Sequence, residues 1–142
     1  MKIGYVTFCM FVVLGFIFCW FMGSGFNAPK AAENASIRIM KKETVGDYLA
    51  DGNGMALYTY TKDEQNISNC LEGCARNWPP FFIDSSAVIE GCDLNDFTAI
   101  TRPDGLKQTA YKGRPLYYFK NDKYPGDTFG QGLGDVWFLA TP

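Results

Sequence analysis

The chain of 142 residues contains no histidine. Histidine is the commonest general base in enzymes and the commonest metal-binding side chain. Its absence excludes the Ser-His and Cys-His arrangements of nucleophilic catalysis and the haem-attachment motif that ends in histidine. No carboxylate pair stands out from the acids expected in turns, which argues against a hydrolase. We therefore predict a protein that is not an enzyme and holds no cofactor or metal.

A concentrated basic region is also missing. The 13 Lys and Arg residues are outnumbered by 15 Asp and Glu residues, the net charge is −2, and no run of Lys or Arg occurs. Because phosphate binding needs a concentrated basic face, we expect no nucleic-acid partner.

A long apolar run is present at the N-terminus, where residues 3–26 carry no charge. The apolar core of a signal peptide is typically 7–15 residues long, whereas a membrane-spanning helix needs about 20. Residues 1–27 are therefore predicted to form one apolar helix, which is either a secretory signal peptide or an uncleaved transmembrane anchor. The length favours the anchor, which would contact the membrane through residues 3–26. Residues 28–36 are small and polar and are interpreted as a linker.

The rest of the chain contains an internal repeat. Two segments align without a gap when the chain is shifted by 59 positions, the difference between 105 and 46, and Tyr60 then aligns with Phe119. The identical pairs are Gly46 and Gly105, Gly54 and Gly113, Leu57 and Leu116, Tyr58 and Tyr117, Asp63 and Asp122, Gly73 and Gly132, and Trp78 and Trp137. Gly, Asp and aromatic residues are the types that backbone geometry and packing select, so we interpret the pattern as a duplication.

Turn signals and alternating apolar residues predict strands in both copies. Strands are expected at 37–42, 45–50 and 55–60 in the first copy and at 97–101, 106–111 and 114–119 in the second, with a turn over 102–105. A short helix capped by Ser68 is expected at 68–75. The predicted fold is all-β with short helical turns: a compact sandwich or barrel-like domain of two pseudo-symmetric repeats over 37–142. Repeat 1 covers about 37–80, a connector 81–95, and repeat 2 about 96–139.

The motif Tyr-x-aromatic-x-x-Asp occurs once in each repeat, as Tyr58, Tyr60 and Asp63 and as Tyr117, Phe119 and Asp122. Residues two apart in a strand lie on one face, so the two aromatic residues of each motif project together. In the structural interpretation they form core, and the Asp caps the turn that ends the strand. In the functional interpretation they form the floor of a pocket with an acid at its rim.

These motifs resemble the bacterial and archaeal secreted-repeat lipoproteins with a Yx(F/W/Y)xxD motif. In the first copy the similarity rests on the motif followed by Ser68, Cys70, Cys74, Ala75 and Trp78-Pro79-Pro80. In the second copy the motif is preceded by Gly105, Gln108, Tyr111, Gly113 and Pro115 and followed by Pro125-Gly126-Asp127, Gly130-Gln131-Gly132 and Trp137. It covers about residues 54–142 and implies an exported cell-envelope protein without an assigned activity. The chain departs from these lipoproteins in having no lipid-attachment sequence around Cys19 and in having an additional cysteine, Cys92.

The cysteines beyond the apolar run are candidates for a disulfide. In the repeat alignment Cys70 matches Phe129 and Cys74 matches Leu133, which favours a buried structural pair in an oxidising compartment. Cys70 can bridge to Cys74, or Cys92 can bridge to either. The alternative is a redox or copper(I) site formed by the three thiols, although Cys-x3-Cys is not a standard spacing for one.

A calcium site is a further alternative for Asp122, Asp127 and Asp135, which lie around the Gly-rich loop. Their spacing matches no known calcium loop, so we interpret them as turn residues. The sequence as a whole predicts an extracytoplasmic, membrane-anchored interaction module. Its partner is expected to be a protein of the cell envelope, and the chain is expected to act as an accessory subunit of a larger complex. A redox or metal-handling envelope protein is the alternative.

Overall fold

The computed structural model describes residues 36–84 and 86–142. The predictions made for the apolar segment 1–27 and for the linker up to residue 35 lie outside these residues. In the described part of the chain, no helix has the length and apolar character needed to cross a membrane.

Short strands dominate the structure, and one short helix accompanies them. The elements are β1 Ser36–Lys42, β2 Gly46–Asp51, β3 Tyr58–Tyr60, α1 Gly73–Asn77, β4 Val88–Glu90, β5 Phe97–Thr101, β6 Lys107–Tyr111, β7 Arg114–Pro115 and β8 Trp137–Leu139. Single 3-10 turns occur at Leu94–Asp96 and Leu133–Asp135.

The two predicted hairpins are present with nearly the predicted bounds. β1 pairs with β2 in antiparallel fashion, and β5 pairs with β6 in the same way. The turn between β5 and β6 is closed by a hydrogen bond of 2.9 Å from the Gly105 N–H to the Arg102 carbonyl. Gly46 begins β2, whereas Gly105 lies in the turn before β6. Both have a φ of +83°, a conformation that glycine adopts without steric strain.

The prediction of a mostly β domain of two repeats agrees with the structure, but the described residues form no closed barrel. Their strands make three small sheets in the orders β2-β1-β4, β3-β8 and β5-β6-β7. The predicted strands at 55–60 and 114–119 are regular only at β3 and β7, and beyond these they pair through isolated bridges. Proline explains part of this difference, because Pro80 and Pro115 have no N–H with which to continue a ladder.

Two further elements differ from prediction. The helix expected at 68–75 with Ser68 as its cap begins later, at Gly73, and Glu72 occupies its N-cap. Ser68 is buried and bonds to other side chains instead. Strand β4 was not predicted; it lies in the connector and pairs in parallel with β1.

Reciprocal backbone hydrogen bonds relate the two repeats. The Tyr58 N–H donates to the Tyr117 carbonyl (2.8 Å), and the Tyr117 N–H donates to the Tyr58 carbonyl (2.9 Å). The same exchange is seen where Phe81 bonds to Leu116 (2.9 Å) and Ala140 bonds to Leu57 (2.8 Å). Contacts that repeat with the partners exchanged are the mark of a two-fold relation. The repeats therefore pack about a pseudo-two-fold axis that passes between Tyr58 and Tyr117.

The buried residues form two clusters. One is rich in aromatic residues and includes Tyr48, Tyr58, Cys70, Trp78, Tyr117, Phe119 and Trp137. The other is mostly aliphatic and includes Ile37, Leu49, Leu57, Phe81, Ile83, Tyr111 and Leu116.

Candidate functional site

Each motif tyrosine is bound by the motif aspartate of the other repeat. The Tyr58 hydroxyl donates to Asp122 Oδ2 (2.6 Å), and the Tyr117 hydroxyl donates to Asp63 Oδ2 (2.7 Å). The structural interpretation expected each motif acid to cap the turn that ends its own strand. Neither acid does so. Asp63 instead accepts from the Asn69 N–H (2.7 Å), and Asp122 accepts from the Phe129 N–H (3.0 Å). Each acid thus fixes the loop that follows its own motif and the tyrosine across the axis.

A buried arginine extends the pair formed by Tyr117 and Asp63. Arg102 is 2% exposed, and its guanidinium donates to Ser68 Oγ (2.7 Å) and to Gln108 Oε1 (2.7 Å). Ser68 Oγ in turn lies 2.8 Å from the Tyr117 hydroxyl. The guanidinium also pairs with Asp104 at 3.0 Å. The buried charge is therefore compensated by an acid and by neutral acceptors, as buried cations require.

Lys42 occupies the equivalent position in the other repeat. Its Nζ donates to Thr128 Oγ1 (2.9 Å) and to the Gly126 carbonyl (2.9 Å). Lys42 ends β1 as Arg102 follows β5, and each cation binds a hydroxyl in the loop of the opposite repeat. Neither cation was predicted from the sequence, because the shift of 59 aligns Lys42 with Thr101 and not with Arg102.

Burial shifts the ionisation of both pairs. Desolvation raises the pKa of the Tyr58 and Tyr117 hydroxyls well above that of an exposed phenol. It also raises the pKa of Asp63 and Asp122, against the opposing effect of their hydrogen bonds. The phenols therefore remain protonated donors at physiological pH, which suits them to a structural role.

The motif aromatic residues and the two tryptophans form a stack of four rings across the axis. The indoles of Trp78 and Trp137 are stacked at 3.8 Å with an interplanar angle of 5°. Tyr60 stacks on Trp137 and Phe119 on Trp78, both at 4.3 Å. The repeat motif therefore builds the shared core of the two halves.

A groove of about 330 Å³ lies beside the first motif and partly matches the functional interpretation. Its lining includes Tyr60 and Asp63 together with Glu64, Lys112 and Arg114. The lining carries acids and cations in equal number, and Asp63 is already bound to Tyr117 and Asn69. The groove can accept a polar group, but none of its acids and cations stands out as an acid–base pair for catalysis.

Two of the candidate cysteines are bridged. Cys70 and Cys74 form a disulfide with a Cα–Cα distance of 5.2 Å, so this predicted alternative is confirmed. Cys92 is the described cysteine outside the bridge; it is half-buried, and burial raises the pKa of its thiol. It packs in the aliphatic cluster, whereas Cys70 belongs to the aromatic one. The three sulfurs are therefore not brought together.

The residues that the shift of 59 aligns with these cysteines are not buried. Phe129 is 67% exposed and Leu133 is 45% exposed. The N–H that binds the motif acid belongs to residue 69 in repeat 1 and to residue 129 in repeat 2, a separation of 60 and not 59. The second loop is thus one residue longer at this point, and Gly130 is the true counterpart of Cys70.

The loop between Asp122 and Asp135 is held by its own acids. Asp127 Oδ2 accepts from the N–H groups of Lys123 (2.8 Å) and Tyr124 (2.9 Å). These contacts agree with the interpretation of Asp127 as a turn residue, whereas Asp122 binds Tyr58 across the axis. Across residues 36–84 and 86–142, no group of three or more acidic or cysteine side chains is placed to hold a metal ion.

The same loop presents apolar side chains to solvent. Tyr124 is 73% exposed, and Phe129 and Leu133 are also exposed. Solvent-facing apolar residues grouped on one segment are typical of an interaction surface.

Comparison with known proteins identifies one matching family. A sequence model for a family described as a secreted repeat of unknown function matches residues 40–81 and 98–141. The two matched segments correspond to the two halves related by the pseudo-two-fold axis. No curated protein sequence and no solved structure matches the chain significantly.

Proposed function

Because the chain belongs to the family of secreted repeats of unknown function, we propose that it is an extracytoplasmic, membrane-tethered interaction module without catalytic activity. It docks to a protein of the cell envelope as an accessory subunit of a larger complex. The polar groups of the repeat motif are used inside the fold, which leaves shape and surface chemistry to provide the function.

The observation that carries this proposal is the apolar surface of the loop 123–135. Phe129 and Tyr124 are the most exposed large hydrophobic residues of the loop. Aromatic residues are enriched where protein interfaces derive most of their binding energy. The packed core of the domain needs neither side chain, because both point away from it into solvent.

Fixed loop geometry strengthens the proposal. Asp122 binds the Phe129 N–H, and Lys42 binds the Gly126 carbonyl and Thr128. A loop that is already ordered loses little conformational entropy when a partner docks, so more of the contact energy appears as affinity.

Native purification from the organism's own membranes tests the proposal. The tagged full chain should copurify with the same protein partner in repeated preparations, and Phe129→Ser should reduce its recovery. Removal of a central interface aromatic typically weakens binding by about 2 kcal/mol, which is about 30-fold. Leu106→Ser, at an exposed position outside the loop, is the matched control and should retain the partner. A chain that is monomeric and copurifies with nothing contradicts the proposal, as does a Phe129→Ser variant with undiminished recovery.

The cysteines provide no comparable support for the redox or metal-handling alternative. Cys70 and Cys74 are consumed in a disulfide, and Cys92 lies in the other buried cluster. Thiol counting and metal analysis of protein purified from its host distinguish the two functions, since the interaction module requires one stable disulfide and no bound metal.

A further inference from the structure

The equivalent hairpins of the two repeats differ at one edge. In repeat 1, β1 lies between β2 and β4, with β4 running parallel to it. In repeat 2, β5 has β6 on one side, and its other side has no strand neighbour among the described residues. The first half of the fold thus shows how an edge of this kind can be covered by a parallel strand.

Hydrogen-bond alternation identifies the groups on this open edge. The Lys112 N–H donates to the Asp96 carbonyl (2.7 Å), and the Arg102 N–H donates to the Leu106 carbonyl (2.9 Å). Because donors and acceptors alternate between the two sides of an antiparallel strand, residues 96, 98, 100 and 102 bond toward β6. The N–H and C=O groups of Phe97, Ala99 and Thr101 therefore point away from the sheet.

Strand β5 lacks the usual protection of an exposed edge. It contains no charged residue and no proline, and Thr98, Ala99 and Thr101 are exposed. Natural edge strands are commonly blocked by lysine, proline or a bulge. An unblocked edge is a template for an added strand.

A groove beside the strand supplies space for one apolar side chain. It measures about 250 Å³ and is lined by Ile83, Leu94, Phe97 and Ala99, with Thr98, Thr109 and Asp84. In repeat 1, Ile89 of β4 lies opposite Ile37 and packs on the aliphatic cluster. Phe97 is the counterpart of Ile37, so an apolar residue opposite Phe97 would occupy the groove as Ile89 occupies its own site.

The charges around β5 indicate which residue types an added strand would carry on either side of this apolar residue. Asp93 and Asp96 immediately precede β5, and Lys112 lies 3.9 Å from Asp96. With Asp84 in the groove, acids outnumber cations at this end. In repeat 1, Glu90 lies opposite Arg38, but the counterpart of Arg38 is the uncharged Thr98.

We propose that the free edge of β5 binds an extended segment of a partner protein as an added parallel strand. The segment carries Lys or Arg opposite Asp96, an apolar residue opposite Phe97 and an uncharged residue opposite Thr98. This surface is separate from the loop 123–135, and the proposal rests on the interaction role inferred above.

A peptide derived from β4 tests the proposal with the full chain in detergent micelles. The probe is residues 86–91 with Val88→Lys and Glu90→Thr, that is acetyl-Ser-Ala-Lys-Ile-Thr-Gly-amide carrying a fluorescent label. Fluorescence anisotropy should show saturable binding. The unaltered β4 peptide, which has no cation and carries Glu, should bind about tenfold more weakly. Hydrogen exchange should slow at the amides of Phe97 and Ala99.

Two changes remove single hydrogen bonds. Ala99→Pro deletes an outward N–H and should reduce peptide binding at least about tenfold. Leu106→Ser changes an exposed side chain outside the groove and should bind the peptide normally. N-methylation of the Thr amide in the probe removes the donor to the Phe97 carbonyl and should have the same effect on the unaltered protein. This second test holds even if Ala99→Pro fails to fold.

Several outcomes would overturn the proposal. Absence of saturable binding would do so, as would equal affinity for the N-methylated probe. A dimer that Ala99→Pro dissociates would replace the partner segment with a second copy of the chain. Peptide binding should be unchanged in Phe129→Ser, so failure at the β5 edge and failure of the loop interface are separately visible.

Discussion

At the scale of single residues, the motif acids act across the axis and not within their own repeat. Asp122 accepts from Tyr58, and Asp63 accepts from Tyr117. A buried carboxylate that loses a hydrogen-bond donor still carries the free-energy cost of desolvation. Removing one of these bonds therefore costs more than the net free energy that the bond contributes to stability. Each repeat supplies a tyrosine to the acid of the other repeat and an acid to its tyrosine. This exchange explains why Tyr and Asp occupy the same motif positions in both copies.

Removal of the Tyr58 hydroxyl tests this dependence. We expect Tyr58→Phe to lower the free energy of unfolding by about 1–3 kcal/mol, because Asp122 is left buried with one donor fewer. Urea unfolding measures the change. Tyr124→Phe removes the same hydroxyl from a side chain that is 73% exposed and should leave the free energy unchanged. Equal effects of the two substitutions would contradict the role assigned to the buried pair.

The sequence located these residues but not their partners. Period-two spacing places Tyr58 and Tyr60 on one strand face, and the structure puts both in the aromatic cluster. The pairing of Tyr58 with Asp122 depends on the antiparallel bridge between Tyr58 and Tyr117. No local pattern contains that bridge. The buried Arg102 was missed for the same reason, because its partner Ser68 comes from the other repeat.

The pH dependence of stability offers a second test at this scale. Burial raises the pKa of Asp122, so its carboxyl binds more protons in the folded than in the unfolded state over the pH range between the two pKa values. Its contribution to stability is complete below the unfolded pKa of about 3.9 and is lost as pH rises through the folded pKa. The difference in free energy of unfolding between the native chain and Asp122→Asn should therefore decrease from pH 4 to pH 8.

Asp127 provides a control of opposite sign. Hydrogen bonds from the Tyr124 and Lys123 N–H groups lower the pKa of this exposed carboxyl. Its contribution is present above the unfolded pKa and is lost as pH falls through the folded value. The corresponding difference for Asp127→Asn should increase with pH, and parallel profiles for the two variants would show that the assigned causes are wrong.

At the scale of elements, the segment after each motif contains a glycine, and the two glycines differ in how closely they pack against other residues. A Cβ at Gly130 would lie 2.7 Å from Trp78 and 2.8 Å from Tyr58, closer than packed side chains allow. A Cβ at Gly73, in α1, would meet only the flexible end of Arg76, at 3.1 Å.

The same substitution should therefore act in opposite directions at these glycines. Gly130→Ala forces the indole and phenol rings apart and should destabilise the protein by about 1–3 kcal/mol. Gly73→Ala lies in a helix, where alanine is favoured, and should stabilise by up to about 1 kcal/mol. Thermal unfolding of both variants measures the shifts, and a destabilised Gly73→Ala would mean that the contact with Arg76 dominates.

Elements with local determinants were predicted well, and the others were not. The hairpins of β1–β2 and β5–β6 were located because turn glycines and alternation lie within a few residues of one another. Strand β4 has three residues and forms only by pairing with a segment about 50 positions away. The helix start was misplaced because Ser68, a good cap by type, hydrogen-bonds within the buried network of Arg102.

At the scale of the whole molecule, the two-fold arrangement explains why the motif occurs twice. The stack of Tyr60, Trp137, Trp78 and Phe119 takes two rings from each repeat, and the tyrosine–aspartate bonds cross between repeats. One repeat alone would expose its two rings of the stack and leave its motif acid without the tyrosine of the other repeat. The two repeats therefore make one folding unit, in keeping with a shared core that neither could bury alone.

The location of this unit relative to the membrane can be measured with a reporter inside the fold. Cys70 and Cys74 are bridged in the folded domain, and disulfides persist in oxidising compartments and not in the cytosol. The chain expressed in its host should therefore carry this bridge, should resist extraction by alkaline carbonate if residues 3–26 anchor it, and should be digested by protease added to intact spheroplasts. Replacement of residues 1–27 by a cleavable signal peptide should keep the bridge and release the domain from the membrane. If the thiols of Cys70 and Cys74 are reduced and protected from external protease, the domain is cytosolic, and the envelope role proposed for it is wrong.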